Sequence, residues 1–519
     1  MIPSRAGCRL VLAGLVLATA GPAAGQPAAS QARARSLLAE GMSLLQAQRI
    51  EQARDRFEQT LRLDPTLADA HYMLGWLRER DGDLEAAAAS YLEALRYAPE
   101  MAEARDRLGF VRGQQGRTQD AIAEFEKATL AKPGLFDAWY HLGATRWWTG
   151  DAAAALPALR QAVKLKPDHA EARYYLGLAL EHEGDLVAAM ASLRRAVKLA
   201  PTLAVAHLRL GVTLHEMGDA EGAVAELRKA VALDPDLADA RNSLGLALVK
   251  KGEADEAVAT FQALVKSQPD NRVARHNLGS ALLQKGDLEA AVAVYRELAA
   301  LDPPSAEAFY NLGMALKQRD DFAGAEEALR KAVALDPALP EAHYTLGVVL
   351  WQTGRAEEAA QAFQTAIARQ PADAAARYML GTVLKQQGRL EEALAQFREA
   401  IVRLDSAEPH LGIGQILQQR GDREGAAAAF AEAERLNQKK ADVQAAAFAA
   451  SAGRSKLASG DVPGAIASFR VAVRLAPEDA QAHYQLGLAL RRTGALGEAR
   501  RELAAARRLA PYLQDPEGR

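Results

Sequence analysis

Ten histidines, one cysteine and 66 acidic residues are the groups from which this 519-residue chain would have to build catalysis or a metal site. A metal needs several such ligands at short, defined spacing, and a covalent catalyst needs a nucleophile beside a base. The sequence offers neither. The histidines are scattered, there is no HExxH and no paired-cysteine spacing, and no GxxxxGK[ST] or GxSxG occurs. Glu181-His182-Glu183 puts ligand types in a row but reads as a solvated helix end, and carboxylate pairs such as Glu357-Glu358 read as a solvated helix face. No enzyme, cofactor or metal is therefore expected. The aromatic residues remain. Seven tyrosines (72, 140, 174, 310, 344, 378 and 484) lie multiples of 34 residues apart or nearly so, and four of the five tryptophans (76, 139, 147 and 148) are concentrated in 73 residues, with Trp351 alone. Such side chains do binding chemistry.

The elements that position them follow from glycine. It recurs at 41, 75, 109, 143, 177, 211, 245, 279, 313, 347 and 381 with a constant step of 34, then at Gly414, Gly453 and Gly487. A fixed period of this length marks a stacked repeat, each unit burying its apolar face against its neighbours. With this glycine as position 8, alanine stands at position 20 in all fourteen units (Ala53 to Ala499), and a Phe, Tyr or Leu usually follows at position 24, as in Phe57, Tyr91 and Leu159. Apolar neighbours three and four apart predict two helices per unit. Gly at position 8 and Ala at position 20 let those helices approach closely, and the bulky residue fills the junction with the next unit. A second glycine at position 15, in twelve of fourteen units, ends the first helix. The Asp that often follows, as at 83, 151, 185, 219, 287 and 461, caps the second helix, and proline at position 32 closes twelve units.

These residues resemble the tetratricopeptide repeat over about residues 34–511, and Ala342-His343-Tyr344-Thr345-Leu346-Gly347 fits its pattern closely. The resemblance implies an all-α fold, a right-handed α-solenoid superhelix of about fourteen helix-turn-helix units whose first helices line a concave groove. It also implies that positions 2, 5, 9, 12 and 13 face that groove. Position 5 supplies Tyr72, Tyr140, Tyr174, Tyr310, Tyr344 and Tyr378, position 9 supplies Trp76, and positions 12 and 13 supply Trp147, Trp148 and Trp351. Trp139, at position 4, reads as core. Trp147 and Trp148 cannot both be buried, since adjacent helical residues point apart. Position 2 is acidic in eight units, including Asp69, Glu103, Asp137, Glu171 and Glu341. That makes an acidic rim for a basic or amide-bearing peptide; it equally suits the positive end of a helix dipole. Position 9 is never Asn, unlike the clamp of chaperone-tail-binding arrays, and only Asn277 and Asn311 match the asparagine ladder of the O-linked glucosaminyltransferases.

Composition is that of a soluble protein: 49% apolar, 25% charged, net charge −3, with pI near 6.4. Bulk charge gives no reason to expect a nucleic-acid partner. Arg5 and Arg9, the apolar run Leu10–Ala20 and the small residues to Gly25 have the layout of a secretory signal peptide, cut after Ala20 or Gly25. The alternative is an uncleaved signal that tethers the protein to a membrane. Cys8 precedes the apolar run, so it is not placed as a lipid-attachment cysteine, and removal of the signal leaves no thiol.

The expected organisation is a signal peptide at 1–25, a short linker at 26–33, repeats 1–11 at 34–407, an irregular repeat 12 with an insertion at 408–445, repeats 13–14 at 446–511 and a tail at 512–519. Residues 434–446 are expected to form a longer helix followed by a loop that re-angles the last two units, and Pro157 a kink or a shifted helix start. The function these features imply is a non-catalytic scaffold, exported to a bacterial periplasm or the cell exterior, that binds extended protein segments in an envelope or secretion assembly. An accessory subunit for polysaccharide or glycan export or glycosyl transfer is the alternative.

Overall fold

The computed structural model describes residues 27–510 and Leu513, so the leader and tail lie outside the described residues. Among the described residues there are 27 helices and no strand, and none of the helices is long and apolar enough to cross a membrane. Repeat 5 shows the common unit. Its first helix, Ala170–His182, ends as Gly184 turns into the left-handed region at φ +79°. Its second helix, Leu186–Leu199, starts at Asp185, whose carboxylate accepts the backbone N–H of Ala188 at 3.0 Å. The six aspartates expected to cap do so, and Asp321 and Asp422 join them. Where arginine replaces the capping residue, at Arg49, Arg117, Arg355 and Arg389, no side chain caps the helix. At the last three of these four the guanidinium pairs instead with a carboxylate three residues on: Asp120, Glu358 or Glu392.

The left-handed residue at position 15 is a requirement of the geometry, independent of residue type. Twelve repeats place glycine there, and the two that do not still adopt it, Gln48 at φ 58° and Asp320 at φ 60°. The glycine at position 8 answers a different need. A Cβ on Gly279 would stand 2.5 Å from Cζ of Tyr295, a ring only 2% exposed. Phe397, at position 24, serves two repeats at once, lying against Gly381 of its own unit and Gly412 of the next.

The chain divides into two compact units, Met1–Ser243 and Leu244–Arg519. In the first, small cores follow one another around Phe57, Tyr91, Phe125 and Leu159. In the second, one core runs from Val292 to Ala429, and a separate one holds repeats 13 and 14 together through Phe469 and Leu486.

Three local expectations need correction. Residues 27–33 are not a linker; the first helix, Pro27–Gln46, already includes them. Pro157 does not shift its helix start, because Ala152–Leu165 begins directly after Asp151 as its counterparts do. Both Pro157 and Ala153, whose carbonyl loses its helical donor, are exposed. Residues 434–446 are helical as expected, but no loop follows them. One 36-residue helix, Arg423–Ala458, fuses the second helix of repeat 12 to the first of repeat 13.

Two causes of the fusion are visible in the sequence. Gln438 stands where a helix-ending proline would be, and the residues that normally join neighbours change character there. Position 28 is apolar or threonine in every repeat except 12 and 14, where it is Glu434 and Arg507. Position 10 is serine only in repeats 1 and 13, as Ser43 and Ser455, both exposed. Repeats 12 and 13 thus carry the residue types of array ends, which need a polar outer face.

Candidate functional site

Each first helix presents positions 5, 9 and 12–13 on one stripe, since residues three and four apart share a face. Successive first helices lie side by side: within the first unit those beginning at Ala68, Ala102, Phe136, Ala170 and Ala204, and within the second those beginning at Arg272, Ala306, Pro340 and Ala374. The stripes therefore join into a continuous face in each unit.

The histidines that recur at position 4 turn out to be straps. His71, His207, His343 and His483 each set Nε2 within 2.9–3.1 Å of the carbonyl of the proline closing the preceding repeat. A carbonyl only accepts, so the ring nitrogen there donates. Trp139 makes the same bond to Pro133 O at 2.9 Å and, half-buried, packs against the cores around Phe125 and Leu159. Among the described residues no group of three or more His, Cys, Asp or Glu could hold a metal ion.

In the first unit the predicted aromatic residues are brought together but largely occupied. Tyr140 is buried, lies 5.8 Å from Phe136 in a stacked pair, and donates its hydroxyl to Glu171 at 2.8 Å. Burial and that carboxylate raise its phenol far above the ordinary range. Tyr140 thus belongs to the core and is not open to a ligand. Tyr174 is half-buried edge-on to Tyr175, and burial pushes its phenol up to about 12. Tyr72 and Trp76 are half-buried against the Phe57 core. Of the adjacent pair, Trp147 is half-buried with its edge toward His182, whereas Trp148 is 56% exposed and donates its indole N–H to Tyr175 Oη at 3.1 Å.

Part of the acidic rim in the first unit is already engaged. Lys132 binds Glu103 at 2.6 Å and Lys166 lies 3.9 Å from Asp137, while Glu171 takes the Tyr140 hydroxyl. Asp69 differs, its carboxyl raised by burial and by Glu103 nearby. At position 5 of repeat 3 an aspartate replaces tyrosine. Asp106 is buried against His141 Nδ1 at 2.8 Å, and burial raises its carboxyl despite that partner.

The second unit is arranged differently. Tyr310, Tyr344 and Tyr378 stand at the same place in repeats 9, 10 and 11, each half-buried, and burial raises the Tyr344 phenol, with Asp373 and the two neighbouring tyrosines adding to it. Two rings rest on core phenylalanines, Tyr344 on Phe363 at 5.8 Å and Tyr378 on Phe397 at 6.0 Å. No hydroxyl of the three has a hydrogen-bond partner among the described residues. Trp351 reaches across to the next repeat and donates to Gln386 Oε1 at 3.1 Å.

Gln386 belongs to a row the sequence reading passed over. Position 13 is glutamine in five successive repeats, Gln284, Gln318, Gln352, Gln386 and Gln419, all exposed. The signal was one residue type at one position in consecutive units, hidden because glutamine is unremarkable on any single helix surface.

Three family models match the chain: one described as cilia and flagella-associated protein 70 C-terminal domain over residues 237–450, one as tetratricopeptide repeat over 38–104, 145–204 and 450–513, and one as TPR repeat over 213–252. No curated protein matches it. Among solved structures, YrrB, described as a TPR protein with an unusual peptide-binding site, is 29% identical, with a TM-score of 0.33, covering 36% of this chain and 95% of that one. MamA from Desulfovibrio magneticus RS-1 is 26% identical, with a TM-score of 0.31 and coverage of 33% and 96%. Yeast Tom70 is 15% identical, with a TM-score of 0.39 and coverage of 76% and 96%.

Proposed function

For a chain that belongs to the tetratricopeptide-repeat family, whose fold is generally an interaction scaffold, we propose a non-catalytic protein that binds extended segments of other proteins across the face of its first helices. The observation that carries this reading is the tyrosine series of repeats 9–11, three half-buried rings in line with unpartnered hydroxyls. Half-buried rings are already ordered, so little side-chain entropy is lost when a ligand covers them, and each free hydroxyl brings a hydrogen bond that the isolated protein does not make. Trp148, exposed at the first unit's face, is a second contact of the same kind. The basic, apolar and small-residue layout of residues 5–25 supports placing the partner in a bacterial periplasm or outside the cell, within an envelope or secretion assembly.

The test is site-specific photo-cross-linking in the organism that makes the protein, with a benzophenone amino acid at Tyr344 and, as control, at the exposed Leu130. A discrete cross-linked partner from position 344, recovered in the envelope fraction and absent from position 130, is expected. Equal labelling from both positions, or none from either, would refute the reading.

A further inference from the structure

The glutamine row and the tyrosine row run in parallel across repeats 9–11, eight positions apart on each helix, which is about 12 Å at 1.5 Å per residue. The amides of Gln318, Gln352 and Gln419 have no hydrogen-bond partner among the described residues, and neither do the hydroxyls of Tyr310, Tyr344 and Tyr378. A primary amide offers both an acceptor and donors, so it can pair with a peptide backbone whatever the side chains are. In repeats 9, 10 and 11 the face therefore presents an amide that reads main chain and a ring that packs against side chain, the Gln386 amide keeping its donors free while its oxygen accepts from Trp351.

Spacing decides which kind of main chain fits. Packed helices stand about 8–10 Å apart. An extended β-strand needs about three residues to cover that distance at 3.3 Å each, and its two-residue alternation then turns the opposite face to each successive repeat. A polyproline II segment covers about 9.3 Å in three residues and completes one turn in doing so, so the same face returns at every repeat. It also makes no hydrogen bonds within itself, leaving its carbonyls open to amide and phenol donors. Aromatic-lined grooves suit proline rings for the same reason.

We propose that repeats 9–11 bind a proline-rich segment in the polyproline II conformation, one turn of three residues per repeat, with the position-13 glutamines holding its backbone and the position-5 tyrosines packing its rings. This rests on the peptide-binding reading above and names the partner class for it.

The probe is fluorescein-labelled (Pro-Pro-Ala)5, measured by fluorescence anisotropy on the full chain against (Gly-Ser-Ala)5 of equal length. At least tenfold tighter binding of the proline peptide is expected, with a loss of tenfold or more in the double variant Gln318→Leu, Gln352→Leu. Both sites are exposed, and far-UV circular dichroism verifies the fold. Leu130→Ala, at an exposed residue of the other unit, should leave the affinity unchanged. Equal binding of the two peptides, or full affinity in the glutamine variant, overturns the proposal. Should Tyr344→Ala abolish binding while the glutamine variant keeps it, the ladder fails and peptide binding stands. Should neither peptide bind while Tyr344 still cross-links a partner, the polyproline assignment fails alone.

Discussion

Repeat 8 carries two glycines seven residues apart whose replacement by alanine should be harmful for unrelated reasons. At Gly279 the added methyl would stand 2.5, 2.7 and 2.8 Å from three atoms of the Tyr295 ring, which is 2% exposed and cannot swing into solvent. Overpacking of this kind costs about 1–3 kcal/mol, and the better helix propensity of alanine returns about 1 kcal/mol. The net loss should be about 0–2 kcal/mol. At Gly286 nothing lies within 4 Å, but φ is +86°. A left-handed alanine costs about 1–2 kcal/mol, of which reduced freedom in the unfolded chain returns about 0.4–1 kcal/mol. The two single variants are therefore similar in size, and a double-mutant cycle with Tyr295→Ala separates them. Removing the ring should make Gly279→Ala neutral or stabilising by up to about 1 kcal/mol, a coupling of about 2 kcal/mol by the terms above. Gly286→Ala should show no coupling. Native-state hydrogen exchange of the repeat 8 amides is the appropriate assay, because a repeat array opens locally. An unchanged Gly279→Ala loss in the Tyr295→Ala background would refute the steric argument.

Two further outcomes are expected. Gln48→Gly and Asp320→Gly should each stabilise their repeat, by about 0.5–1 kcal/mol, with the larger gain at Gln48 because aspartate tolerates the left-handed region better; slower amide exchange in repeats 1 and 9 would show it, and faster exchange would contradict it. Glu226 is pushed upward by burial, but hydrogen bonds from Lys229 and His207 outweigh this and hold its carboxyl below the usual range. Its contribution is then present above the ordinary carboxylate pKa and lost as pH falls through the lowered folded value. Repeat 6 should lose exchange protection between pH 5 and pH 3 more steeply in the parent than in Glu226→Gln, and identical pH profiles would rule this out.

Helix boundaries, caps and the packing within each repeat were legible from the chain alone, because in a stacked array they depend on residues within about one period of one another. Gly279 meets Tyr295 sixteen residues away, and Asp185 caps its own helix three residues on. The fused helix at repeats 12 and 13 was half legible. The missing proline at Gln438 is visible in the chain, but the change to Glu434 and Ser455 has meaning only once positions 28 and 10 are seen to face a neighbour. The site was legible as a set of positions and not as a set of available groups. Tyr140 and Tyr344 occupy the same place in their repeats, yet one hydroxyl is taken by Glu171, thirty-one residues on, and the other has no partner. Whether a groove residue is free depends on side chains contributed by adjacent repeats, and that is settled when the helices lie side by side.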